Sequence, residues 1–280
     1  DDSLYVASLG EIPNATTTTV PAGTTTTSST QATTTTTVSS TNVTTTKPVA
    51  TTKTVESAFS YTVNDDCVTI TGYSGSETDV EIPASIDGLP VTSIGEDAFY
   101  NCAELKSITI PNSVKSIGDY AFCNCPKLTS ITIPEGVTSI GDSAFYYCTG
   151  LTSIEIPESV TSIGAGAFSD CKVLASITIP ESVTGIGASA FSGCTGLTSI
   201  EIPESVTSIS EYVFSDCTGL TSITIPESVT SIGAGAFSDC WTLASITIPE
   251  SVTSIGEEAF GGCTELTSIT IPESVTTIGY

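Results

Sequence analysis

The chain has 280 residues, 31 Asp and Glu against six basic residues, all of them Lys, and no His, Arg or Met. Without His there is no Ser-His-Asp or Cys-His nucleophile and no His-ligated metal, and without Arg there is no bidentate clamp for phosphate. A formal charge of −25 repels nucleic acid and anionic lipid, and no run of eighteen apolar residues is present to span a membrane.

The chain starts at Asp1 with neither Met nor an apolar leader, as expected of a processed chain or a fragment. Residues 1–13 form a strand-like segment in which Leu4, Val6, Leu9 and Ile12 precede Pro13. The segment echoes Leu243, Ile246, Ile248 and Pro249 with one residue inserted. Residues 14–56 are a Thr-rich linker or stalk. Between positions 16 and 54 there are 21 Thr and 4 Ser in 39 residues, too polar to repay the ordering entropy of a core. Such a tract is either a flexible spacer or an O-glycosylated stem. Its candidate acceptors are Thr16, Thr17, Thr18 and Thr19, then Thr24, Thr25, Thr26 and Thr27, then Thr33, Thr34, Thr35, Thr36 and Thr37, and last Thr44, Thr45 and Thr46. Asn14 and Asn42 each head an N-glycosylation sequon.

Residues 57–94 open with two extended runs, Phe59 to Val63 and Val68 to Gly72, that predict a hairpin turning at Asn64, Asp65 and Asp66. A repeat-like piece follows, with five extra residues between Pro83 and Phe99. From residue 95 to residue 280 a 23-residue period holds for eight units. Phe recurs from Phe99 to Phe260, Cys three residues later from Cys102 to Cys263, and Leu three later again from Leu105 to Leu266. Leu151 to Ile156 (LTSIEI) reads as a short strand ended by Pro157. Val160 to Ile163 reads as a second extended piece closed by Gly164, and Ala167 with Phe168 begins a helical or 3₁₀ turn. About eight of 23 residues point inward, too few for a core within one unit, so the units must stack into a one-dimensional solenoid.

The run from Cys217 to Phe237 (CTGLTSITIPESVTSIGAGAF) closely resembles the BspA-type, or Treponema-type, leucine-rich repeat family. The resemblance covers roughly residues 57–280 and implies a right-handed, β-rich leucine-rich repeat solenoid with a β-hairpin cap at residues 57–94. It further implies a secreted or surface-attached protein acting in adhesion and protein contact, without catalysis. No cofactor is expected.

Equivalent positions on stacked units sit about 4.7–4.9 Å apart with parallel side chains, a poor geometry for disulfides, so the Cys ladder is expected to be buried thiols. Cys67 and Cys123 fall off that ladder and are the one pair that could bridge. No chelating Cys pair occurs, and no metal site is expected. The strand-face Ser and Thr rows read as a solvated sheet face. Glu follows Pro in seven units, from Glu135 to Glu273, as a row along one edge suited to solubility or to bridging cations. No basic residue follows Lys172, whereas Lys106, Lys115 and Lys127 lie in the first units, so the rod is less negative at its N-terminal end.

Tyr100, Tyr120, Tyr146, Tyr147 and Trp241 interrupt the consensus and are candidate partner contacts, half-buried packing being the alternative. Val275, Ile278 and Tyr280 belong to a last, incomplete unit, which Leu4, Val6, Leu9 and Ile12 of a neighbouring molecule could cover by strand addition. The expected function is therefore a non-catalytic extracellular contact protein that assembles head to tail into a fibre. A monomeric adhesin binding a host protein or glycan is the alternative.

Overall fold

The computed structural model describes residues 58–279. The expectations for the Thr-rich tract, for residues 1–13 and for Tyr280 lie outside the described residues.

The described chain begins with an antiparallel hairpin of β1 (Phe59–Asn64) and β2 (Cys67–Tyr73). Its two-residue turn holds Asp65 and Asp66 at φ 47° and 62°, the left-handed pair that matches strand twist. After β3 (Asp79–Glu81), the five extra residues form a second small hairpin of β4 (Ser85–Ile86) and β5 (Leu89–Ile94), turning at Asp87 and Gly88. Tyr61 Oη donates to Asp87 Oδ2 at 2.6 Å and ties the two hairpins together. β2 pairs parallel with β5, and β3 with Ser107–Thr109, so the cap starts both ladders of the solenoid.

The first ladder stacks Ser-Ile pairs in register: Ser93↔Ser116, Ile117↔Ile140, Ile140↔Ile163 and Ile163↔Ile186. It stops at Ile186 and resumes as a separate four-stranded sheet from Ser208–Ile209 to Thr277–Ile278. The second ladder runs through Ile108, Ile131 and Ile154, narrows to single bridges at Glu155, Thr178, Glu201 and Thr224, and widens again at Ser222–Thr224.

The Phe segment is not a helix; among the described residues there is none. Alternate N–H groups bond within the turn, such as Ala167 to Gly164 and Ser169 to Gly166. Those between donate to the next unit, Phe168 to the Ala190 carbonyl and Asp170 to the Ser192 carbonyl. A helix would claim every N–H for itself, whereas stacking uses every second one between units. The turn face is thereby a third column of hydrogen bonds between units.

An inner unit contributes the eight inward residues its pattern predicts. Ala144, Phe145, Cys148, Leu151, Ile154, Ile156, Val160 and Ile163 are all buried. The Phe rings form a continuous stack, with centroids 5.1–5.7 Å apart from Phe99 to Phe260. Tyr73 and Phe59 close its N-terminal end, with Tyr73 5.4 Å from Phe99. At the other end Phe260, Leu266, Ile269 and Val275 are only partly buried, and Ile271 and Ile278 are exposed.

Candidate contact surface on the turn face

Two positions in every turn, two residues before and two after the Phe, have φ between 50° and 70°. The earlier column reads Asp97, Tyr120, Ser143, Gly166, Ser189, Tyr212, Gly235 and Glu258. The later one reads Asn101, Asn124, Tyr147, Asp170, Gly193, Asp216, Asp239 and Gly262. Gly, Asn and Asp are the ordinary occupants of this left-handed region, and a bulky aromatic there is a strained exception. The fold does not need Tyr at these positions, since smaller residues fill them in other units.

All five aromatic contact candidates are exposed on this face, from Tyr120 at 37% to Tyr100 at 54% and Trp241 at 53%. Four gather on the first three units, Tyr100 and Tyr146 occupying the same column two units apart. Between them in that column lies Cys123, which is buried. The Tyr146 and Tyr147 rings are 6.0 Å apart. Beside them Asn124 Nδ2 donates to Asn101 Oδ1 at 2.7 Å. Lys172 Nζ sits 5.5 Å over the Tyr147 ring and 3.5 Å from Asp170 Oδ1. Trp241 stands apart, on the seventh unit, with Nε1 donating to Asp239 Oδ1 at 3.3 Å. Tyr212, on the sixth unit, is 46% exposed and shares the Tyr120 column. Tyr212 stands out in the sequence as an aromatic at a variable position, like Trp241, whereas the signal of Asn101 and Asn124 is column position along the turn.

The Cys ladder has a structural role. From Cys125 to Cys263 each thiol donates to the carbonyl of the Phe in the preceding unit, as Cys171 Sγ does to Phe145 at 3.3 Å. That carbonyl also accepts the N–H of its own unit's Cys. Burial pushes the Cys194 and Cys240 thiols up to about 12 and Cys123 to about 11, so they stay protonated and unreactive. Cys67 and Cys123 are both free thiols, so the bridge considered for them is not formed. Cys67 sits opposite Asn64 in the hairpin and Cys123 in the second unit's turn.

The remaining rows are structural or solvated. Ser159, Ser182, Ser205, Ser228 and Ser251 each donate to a Val carbonyl one unit earlier. Among the described residues no group of His, Cys, Asp and Glu could hold a metal ion, and no helix is long and apolar enough to cross a membrane.

A family model described as the BspA type leucine rich repeat region matches residues 71–198 and 184–280, in six copies. The chain belongs to the BspA-type leucine-rich repeat family. A leucine-rich repeat protein of Treponema pallidum is similar at 34% identity and TM-score 0.63, over 67% of this chain and 88% of that one. One from Bacteroides ovatus is similar at 29% identity and TM-score 0.52, over 79% and 77%. No match is found among curated proteins. Membership in this family is consistent with a repeat protein that binds other proteins, and nothing among the described residues adds a catalytic constellation to it.

Proposed function

We propose that this chain is a non-catalytic, secreted or surface-attached contact protein acting in adhesion, with its partner surface on the turn face. The observation that carries the reading is the exposed tyrosine group on the first three units, at turn positions that most other units fill with smaller residues. Two of the four tyrosines, Tyr120 and Tyr147, stand in left-handed positions that cost backbone strain and that smaller residues fill in other units. The Thr-rich tract, read as a glycosylated stem, would hold the solenoid off the surface. Beads coated with the full chain should adhere to a layer of extracellular matrix proteins, and uncoated beads should not. Equal adherence of the two overturns the reading.

A specific observation favours self-association as one such contact. Ile271 is 40% exposed and Ile278 56% exposed on the last described unit, beside half-buried Leu266 and Val275. In this arrangement residues Leu4, Val6, Leu9 and Ile12 of one molecule cover Val275, Ile278 and Tyr280 of the next. Sedimentation velocity should then show assemblies that grow with concentration and vanish when residues 1–13 are deleted. A chain that sediments as a monomer at every concentration is instead the monomeric adhesin.

A further inference from the structure

We propose that the turn face of the first three units binds a neutral, extended β-1,4-linked polysaccharide lying along the solenoid axis. The proposal rests on the reading of the chain as a contact protein and adds the ligand class and the site.

Three features of the surface point to this ligand. The first is spacing. Tyr100 and Tyr146 share one column two units apart, and the Phe stack beneath them advances 5.1 Å and then 5.3 Å over those units. In an extended β-1,4-linked chain each pyranose advances by close to one such step, and every second ring presents the same face. Alternate sugars therefore meet Tyr100 and Tyr146, and the sugar between them lies over the unit of buried Cys123.

The second is the chemistry of the rim. A pyranose has an apolar C–H face, which stacks on an exposed aromatic ring, and a polar hydroxyl edge. The Asn101–Asn124 amide pair runs parallel to the tyrosine column and offers both donors and acceptors to that edge. Tyr120 and Tyr147 flank the row at φ 54° and 59°.

The third is charge. The formal charge is −25, and Lys127 is already paired with Glu104 at 2.7 Å. Lys172, the cation at this patch, is engaged by Asp170 and the Tyr147 ring. An anionic glycan would find repulsion and no clamp, so the ligand is uncharged.

Titration calorimetry of the full chain with cellohexaose and with chitohexaose tests the proposal. At least one hexaose should bind, and Tyr100→Ser and Tyr146→Ser should each weaken binding at least tenfold. Tyr100→Phe should retain most of the affinity, because stacking needs the ring. Matching circular dichroism melts establish that the variants fold. Absence of binding by both hexaoses overturns the proposal, as does binding that survives both Ser substitutions. Attachment of a matrix protein through the same tyrosines, with neither hexaose bound, also overturns it and leaves the contact-protein reading standing.

Discussion

Ser210 Oγ donates to the carbonyl of Ile186 at the junction where the first ladder breaks into two sheets. Elsewhere that position is Gly, and its backbone N–H makes the bond: Gly187 to Ile163 and Gly233 to Ile209, both at 2.8 Å. Gly is required by close approach. A Cβ on Gly164 would lie 2.5 Å from Gly141 carbon, and one on Gly233 2.6 Å from Glu211 nitrogen. The Ser210 Cβ forces its unit away, and its hydroxyl spans to the acceptor the N–H no longer reaches. Val213, in place of the usual Ala, adds bulk to the same unit, and the Phe191–Phe214 spacing of 5.7 Å is the widest in the stack. Ser210→Gly should therefore stabilise the chain. The backbone N–H takes over the bond the hydroxyl made, and relief of overpacking outweighs the backbone entropy of Gly, for a net gain on the order of 1 kcal/mol. Gly164→Ser should cost about 1–3 kcal/mol. Urea unfolding midpoints of the two variants check both signs.

The thiol ladder makes stability depend on alkaline pH. Folding raises Cys194 and Cys240 from 9.0 to about 12 through burial. Below pH 9 both states keep their protons and the contribution is whole. Above it the unfolded chain releases protons that the folded chain retains, so stability falls as pH rises from 9 toward 12, by about 1.4 kcal/mol per pH unit for each such thiol. Urea midpoints under reducing conditions should be lower at pH 10.5 than at pH 8. An unchanged midpoint would contradict the buried-thiol account.

The Lys127–Glu104 pair should contribute little. Its side chains are 50% and 64% exposed, and water and salt screen the 2.7 Å contact. Lys127→Met should leave the melting temperature close to that of the parent, and added salt should not separate the two.

Tyr147 trades stability for surface. Its φ of 59° costs about 1–2 kcal/mol, partly offset by about 0.5 kcal/mol from Lys172 over the ring. Tyr147→Asn, the residue Asn124 contributes one unit earlier, should raise stability by about 0.5–1 kcal/mol and weaken binding. Thermal melts and calorimetry on the same preparation check the two effects.

Much of this was legible in the sequence because a repeat reports its core eight times. Phe145, Cys148 and Leu151 could be placed inside from period alone, and the Cys ladder could be separated from disulfides by strand spacing. The hairpin turn at Asp65 and Asp66 followed from local residue chemistry. The turn at Phe168 did not, because its hydrogen bonds are shared with Ala190 and Ser192 of the next unit, which local propensity does not encode. Ser210 in the Gly column drew no expectation, because its consequence depends on ångström distances to the unit beneath. For the tyrosines, chain position was visible and backbone conformation was not, so the left-handed column that Tyr212 shares with Tyr120 emerged only from the structure.

The account's central claim is that contact is made by the turn-face tyrosines and by nothing the fold itself requires. It is tested by replacing Tyr100, Tyr120, Tyr146 and Tyr147 together with the residues other units carry in those columns: Tyr100→Ser, Tyr120→Gly, Tyr146→Ser and Tyr147→Asp. The account predicts an unchanged circular dichroism spectrum, a melting temperature equal or higher, and at least a tenfold loss of adherence by beads coated with the variant. Full adherence by a folded variant would contradict it.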